Sequence, residues 1–320
     1  MKARLIWIAL FSWGILYGQD PVIHRNVISV IPTLSNKVAA TIPVGGQPWG
    51  VAITPDGTKA YVTHADLKYV SVIDIVSQTV TATVPLNSTA FGVAITPDSQ
   101  KAYVTLPGKN SISVIDTASE TVIAKIAVDC PYCIAMMPDG TQAYVTNFFQ
   151  DTVSVIDIAS QSVIATIPVG CNPEGLAIML NGTQVYVANS NSKSVSVIDT
   201  ASQSVIATIP VDYSPWGIAL TPDGKEAYVA HYYGSQGVSV IDTATHKVTA
   251  QIQVGEHPSA IAMTPDGTKA YVANDEDNTL SVIDIATEKV IVTIPVGSCP
   301  SAIAITPDGT KAYVADRRSQ

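Results

Sequence analysis

One feature constrains this chain more than any other: it repeats. Tyr-Val recurs at Tyr61, Tyr103, Tyr144, Tyr186, Tyr228, Tyr271 and Tyr313, at spacings of 42, 41, 42, 42, 43 and 42 residues. Ser-Val-Ile recurs in step with it, at Ser29, Ser71, Ser113, Ser154, Ser196, Ser239 and Ser281. A fixed period of this length means that one supersecondary unit is used again and again, each copy burying its apolar faces on its neighbours. Val, Ile, Thr and Ala are abundant and only 13% of residues are charged. Branched side chains suit a pleated sheet, and so few charges leave little to solvate helical faces, so the unit is read as all-β.

Within one unit, residues 50–54 form a short apolar strand expected to be buried on both faces. Pro55-Asp56-Gly57-Thr58 is a tight turn, with Pro presetting φ, Asp accepting local hydrogen bonds and Gly taking positive φ. Residues 59–63, 69–74 and 79–85 follow as three further strands, giving an antiparallel meander. A lone meander leaves both apolar faces bare, whereas seven stacked around an axis cover them all. The chain starts with a third and fourth strand, residues 27–31 and 37–44, and finishes with a first and second, residues 301–306 and 311–315. These halves complement each other. The chain is therefore predicted to be an all-β, seven-bladed β-propeller of four-stranded antiparallel blades, closed by a two-plus-two blade built from both termini.

The segment Thr-Pro-Asp-Gly-Thr-Lys-Ala-Tyr-Val-Ala-Asn at 264–274, followed by Ser281-Val282-Ile283-Asp284 and Ile294-Pro295-Val296-Gly297, resembles the repeat of YVTN-type β-propellers, and the match runs from about residue 27 to 316. That resemblance implies this fold and a secreted, periplasmic or cell-surface location. It implies no single activity, because the architecture hosts lactonases, lyases, redox enzymes and plain binding modules.

The N-terminus is consistent with that location. Lys2 and Arg4 precede a run, residues 5–17, that is nearly all apolar and short for a bilayer span, so residues 1–18 are read as a signal peptide and 19–320 as the propeller. Losing two positive charges takes the formal net from −9 to −11. With no basic run longer than Arg317-Arg318, nucleic acid is not an expected partner, and no transmembrane segment is expected after the leader is removed.

Repetition also sorts scaffold from site. Residues present in every blade hold the blade, so Asp74, Asp116, Asp157, Asp199, Asp242 and Asp284 after Ser-Val-Ile are expected to cap the next turn. A site on a ring breaks the symmetry. Variation concentrates in the loops entering each first strand and those joining second to third strands, which strand alternation places on one end of the ring. Three sets stand out there.

The first follows the proline of the incoming loop, or Ala90 in its place before Phe91: Trp49, Phe91, Tyr132, Glu174, Trp216, Ser259 and Ser301. These are expected to ring the channel mouth as a lopsided aromatic cup for a sugar, peptide or planar ligand, or else to plug it. The second follows Tyr-Val-Thr/Ala: His64, Leu106, Asn147, Asn189, His231, Asn274 and Asp316, where Asn is the default and is expected to bond a loop backbone. His64 and His231 depart from it and join the candidate ligand-binding residues. His231 and His257, near Glu256, Asp275, Glu276 and Asp277, are the candidate metal ligands, with zinc, copper or calcium suiting such donors. Their spacing matches no strong metal motif, and no cofactor beyond such an ion is expected.

The third set is cysteine. Cys130-Pro131-Tyr132-Cys133 resembles the glutaredoxin motif but leads into a blade strand, not a helix. In an oxidising compartment a disulfide is expected instead, from Cys130 or Cys133 to Cys171 one blade on, with the pairing open and Cys299 left over. The leading reading is thus a monomeric, non-enzymatic propeller that binds a protein, peptide or glycan through its aromatic face. The alternative is a lactonase-like hydrolase or lyase using Glu174 with His64, His231 or His257; a rigid shell component is a third.

Overall fold

Each blade is punctuated by the turns its sequence encodes. In blade one Asp56 Oδ1 accepts from Thr54 Oγ1 at 2.5 Å and from the Thr58 amide at 3.0 Å, while Gly57 takes φ of 72° and its amide closes the turn on Thr54 O. At the other hairpin of this end, Asp74 Oδ1 accepts from the Ser77 amide at 2.7 Å, the expected cap. Asp116, Asp157, Asp199, Asp242 and Asp284 do the same in their blades. These hydrogen bonds hold the six carboxyls below their ordinary pKa.

The computed structural model describes residues 26–234 and 237–318; the expected leader lies outside them. Seven four-stranded antiparallel sheets result. Blade one comprises Pro48–Ile53, Lys59–His64, Tyr69–Asp74 and Thr79–Pro85, and blades two to six follow in chain order. Blade seven has the spatial order Ala40–Pro43, Val27–Pro32, Lys311–Arg318, Ser298–Ile305, so both ends of the chain share it. Its central seam runs in continuous register from Val27↔Asp316 to Pro32↔Lys311.

The core confirms that the ring is shut. Seven apolar clusters form, each straddling a pair of adjacent blades, and an open stack of seven would have one fewer. The closing cluster joins Ile28, Val30, Ile42 and Tyr313 of blade seven to Ala60, Val62 and Ile73 of blade one. Burial differs from expectation in one respect. The doubly buried strands are the second and third of each blade, while the innermost strand, such as Pro48–Ile53, is only half-buried beyond its first residue. Its inner side borders the channel, where no neighbouring sheet covers it.

In six of the seven blades a polar latch ties the second strand to the third. Asn147, Asn189 and Asn274 donate through Nδ2 to Ser154, Ser196 and Ser281 Oγ at 2.8, 2.9 and 3.0 Å. The partner is thus the serine of Ser-Val-Ile, reached diagonally across the ladder, and not a loop backbone. His64 and His231 take over the same task, with Nε2 at 2.9 Å from Ser71 Oγ and 2.7 Å from Ser239 Oγ. In blade seven Ser29 Oγ donates to Asp316 Oδ2 at 2.5 Å. Blade two has Leu106 in this position, and Ser113 Oγ is left buried without a partner.

This contrast gives a direct prediction. Ser196→Ala removes one of the two hydroxyls that Asn189 Nδ2 donates to, leaving Ser194, and is expected to cost about 1–3 kcal/mol, whereas Ser113→Ala removes an already unsatisfied hydroxyl and is expected to be neutral or stabilising. Urea denaturation of the two variants measures the difference; equal losses would contradict the latch.

Candidate functional site

The funnel at the variable end is built by residues near the start of the innermost strands, Phe91 lying just before its strand. Trp49, Phe91, Tyr132, Glu174, Trp216, Ser259 and Ser301 all line one cavity of about 200 Å³, as the repeat pattern predicts. Three of them form a continuous aromatic arc. Trp49 and Phe91 have ring centroids 5.1 Å apart, Phe91 and Tyr132 5.5 Å, and Trp49 and Tyr132 6.4 Å. Tilted and edge-on contacts of this kind hold the rings rigidly. Phe148 extends the arc at 5.4 Å from Tyr132. Trp216 belongs to a second cluster with Tyr232, at 4.6 Å.

The two clusters are joined over the funnel by a polar bracket. The Tyr232 hydroxyl donates to Asp275 Oδ2 at 2.7 Å, and Arg317 Nη2 meets the same oxygen at 2.5 Å. The guanidinium carbon of Arg317 then lies 4.9 Å above the Trp49 ring, a cation–π contact. Asp275 is 5% exposed, and its Oδ1 has no partner.

Glu174 is the chemical oddity of the cavity. It is 2% exposed, among rings, and its Oε2 has no hydrogen-bond partner. Burial pushes its pKa up to about 8, although the hydroxyls of Tyr132 and Ser190 pull the other way. Burial also raises Tyr132 and Cys133, so both stay protonated at neutral pH.

Ser259 and Ser301 line the cavity, yet their hydroxyls are engaged in holding blades together. Ser259 Oγ donates to Pro300 O at 2.9 Å and Ser301 Oγ to Trp49 O at 3.1 Å, each on the next blade. Thr63, Thr105 and Thr146 make the matching bonds to Phe91, Tyr132 and Glu174 carbonyls elsewhere in the ring.

Two sequence-based expectations are corrected here. His64 and His231 are not ligand-binding residues of the funnel. They are 0% and 2% exposed inside their blades, and burial lowers both imidazoles, His64 to about 4, so they sit neutral on their serines. The strand explains it: side chains alternate, so when His231 turns into the blade, Tyr232 turns toward the funnel. His257 instead stacks on Tyr232, with centroids 5.0 Å apart, and lies 3.8 Å from Glu276. His231 and His257 therefore do not form a metal pair, and no group of three or more His, Cys, Asp or Glu side chains able to hold a metal is found among the described residues.

The expected disulfide is the second correction: Cys130, Cys133 and Cys171 are not joined. Cys133 packs its thiol into the apolar cluster between blades three and four. Cys130 sits at φ 43° with Asn110 accepting from its amide, and Cys171 is exposed with its amide on Ser192 Oγ. The loops direct them to different surroundings.

The residues that were missed occupy one register position, of which only Asp275 was singled out, and then for a metal. Directly after the latch residue come Ala65, Pro107, Phe148, Ser190, Tyr232, Asp275 and Arg317. This set varies as widely as the latch set and has the opposite strand parity, which is the signal that points to it.

Comparisons with known proteins fit this architecture. Among curated proteins nothing matches. Among solved structures the chain is similar to a chain of Kuenenia stuttgartiensis hydrazine synthase, with a TM-score of 0.78 and 24% identity over 85% of this chain and 93% of that one. At that identity the likeness is one of fold. The family model for YNCE-like β-propellers matches residues 94–183 and 177–264, more than half of the sequence, and the chain belongs to that family.

Proposed function

We propose that this protein is a secreted, periplasmic or cell-surface binding module that takes a protein, peptide or glycan ligand into the aromatic funnel. The observation that carries this reading is Glu174, a buried carboxyl with an unpartnered oxygen at the wall of a ring-lined cavity. Buried polar atoms are normally satisfied, and a concave apolar site with few convergent polar groups is the usual form of a ligand site. The leader-like N-terminus supports the location, and no helix among the described residues is long and apolar enough to cross a membrane.

The hydrolase or lyase reading is less well supported. A pKa near 8 suits a general acid. However, none of His64, His231 and His257 lines the cavity, and the other titratable lining groups, Tyr132 and Cys133, are held neutral.

Crystals of the full chain soaked with a fragment library test the site. Fragments are expected between the Trp49 and Trp216 rings. Fragments settling only on other surfaces would overturn the assignment.

A further inference from the structure

We infer that the ligand group seated in the funnel is an alkylammonium that keeps at least one N–H, as a lysine side chain does. The inference rests on the binding-module reading and adds the chemistry of the ligand. Three observations lead to it. First, the rings of Trp49, Phe91, Tyr132 and Trp216 line the cavity, and aromatic π systems attract positive charge. The molecule already shows the preference, since Arg317 lies over Trp49. Second, the uncompensated polar atom of the cavity is an acceptor. Glu174 Oε2 in the lining is buried and unpartnered, Asp275 Oδ1 outside the lining is too, and no Lys or Arg lines the cavity to receive an anion. An orphan acceptor is satisfied by an N–H donor, which a quaternary ammonium lacks. Third, the inner wall is Val51, Val93, Ile134, Leu176, Ile218 and Ile261. That surface suits an alkyl chain and leaves the hydroxyls of an amino sugar without partners.

Charge linkage supplies a signature. Tyr132 and Cys133 from the neighbouring innermost strand face Glu174 and stay neutral, and Arg317 stands at the rim. Glu174, with its pKa near 8, is mostly protonated at pH 7. A cation favours the ionised form, so its arrival expels the proton, and binding tightens as the pH rises toward 9.

The test is calorimetry of the full chain with n-butylammonium in two buffers of different ionisation heat, neither of them a primary amine, such as phosphate and HEPES at pH 7. Saturable binding is expected, with close to one proton released at pH 7 and almost none above pH 9. n-Butanol, tetramethylammonium and glucosamine are each expected to bind at least tenfold more weakly. Glu174→Gln is expected to weaken n-butylammonium at least tenfold and abolish proton release, with an unchanged or raised Tm showing that the fold is intact. Equal affinity for n-butanol, tighter binding of glucosamine, or undiminished binding by the Gln variant overturns the inference. So does a lack of saturable n-butylammonium binding. If soaked fragments still occupy the funnel, only the cationic chemistry has failed; if they do not, the module reading has failed as well.

Discussion

A chain lacking residues 1–44 is expected to show no cooperative unfolding transition. The deletion removes Val27–Pro32 and Ala40–Pro43, half of the blade that closes the ring. Val27, Ile28, Val30, Ile31, Ile42 and Val44 are all nearly or wholly buried. At about 2 kcal/mol for each buried aliphatic side chain, their loss is on the order of 10 kcal/mol, comparable with the whole stability of an ordinary protein. It also uncovers the edge of Lys311–Arg318 and strips Asp316 of Ser29. Urea titration followed by circular dichroism measures this. A truncated chain unfolding cooperatively with nearly full stability would contradict the closure.

The second large effect is a gain. Asp316→Asn is expected to stabilise the protein at pH 8 by up to about 4 kcal/mol and to leave it little changed at pH 4. Asp316 is fully buried, and burial lifts its pKa from 3.8 to about 7 despite hydrogen bonds from Ser29 and Gly297. A raised carboxyl favours the folded state only while protonated. Its contribution is fully present below about pH 4 and is lost as the pH rises through 7; a shift of about three units sets the size. Glu174 acts in the same direction, losing its contribution as the pH rises from about 4.5 through 8. The turn aspartates act oppositely, because their lowered pKa values favour folding at neutral pH and that contribution fades in acid. Comparing the variant with the parent across pH isolates Asp316. Asn is the residue its sibling blades use at this latch, so the geometry is already tried. Melting curves at pH 4, 6 and 8 check it, and a Tm difference that stays flat across them would contradict the buried carboxyl.

The repeat made the scaffold readable. Tyr-Val, Ser-Val-Ile and Pro-Asp-Gly recur because every blade needs the same packing and the same turns, and the complementary ends announce the shared blade. The first set of funnel residues was readable because each holds one fixed register, which a proline precedes in every case but Phe91, where Ala90 stands. The second set was misread because periodicity says that neighbours face opposite ways without saying which one faces the channel. His64 and His231 broke the pattern yet serve the same latch as Asn147. Tyr232 and Arg317, one residue beyond their latch positions, were passed over. Arg317 was hidden for a further reason: its partner ring, Trp49, lies at the far end of the sequence and comes near only after closure. The cysteines misled through loop proximity alone, since a shared face does not aim two thiols at each other.

Binding to a glycan and peptide array by the parent, Trp49→Ala, Trp216→Ala and a Lys225→Ala control tests the central claim most directly. Lys225 is exposed in a turn at the uniform end of the ring. Either tryptophan change is expected to reduce array signals at least tenfold with the fold retained, while the control binds like the parent. Signals that survive both tryptophan changes and vanish in the control would place recognition at the opposite end of the ring and contradict the account.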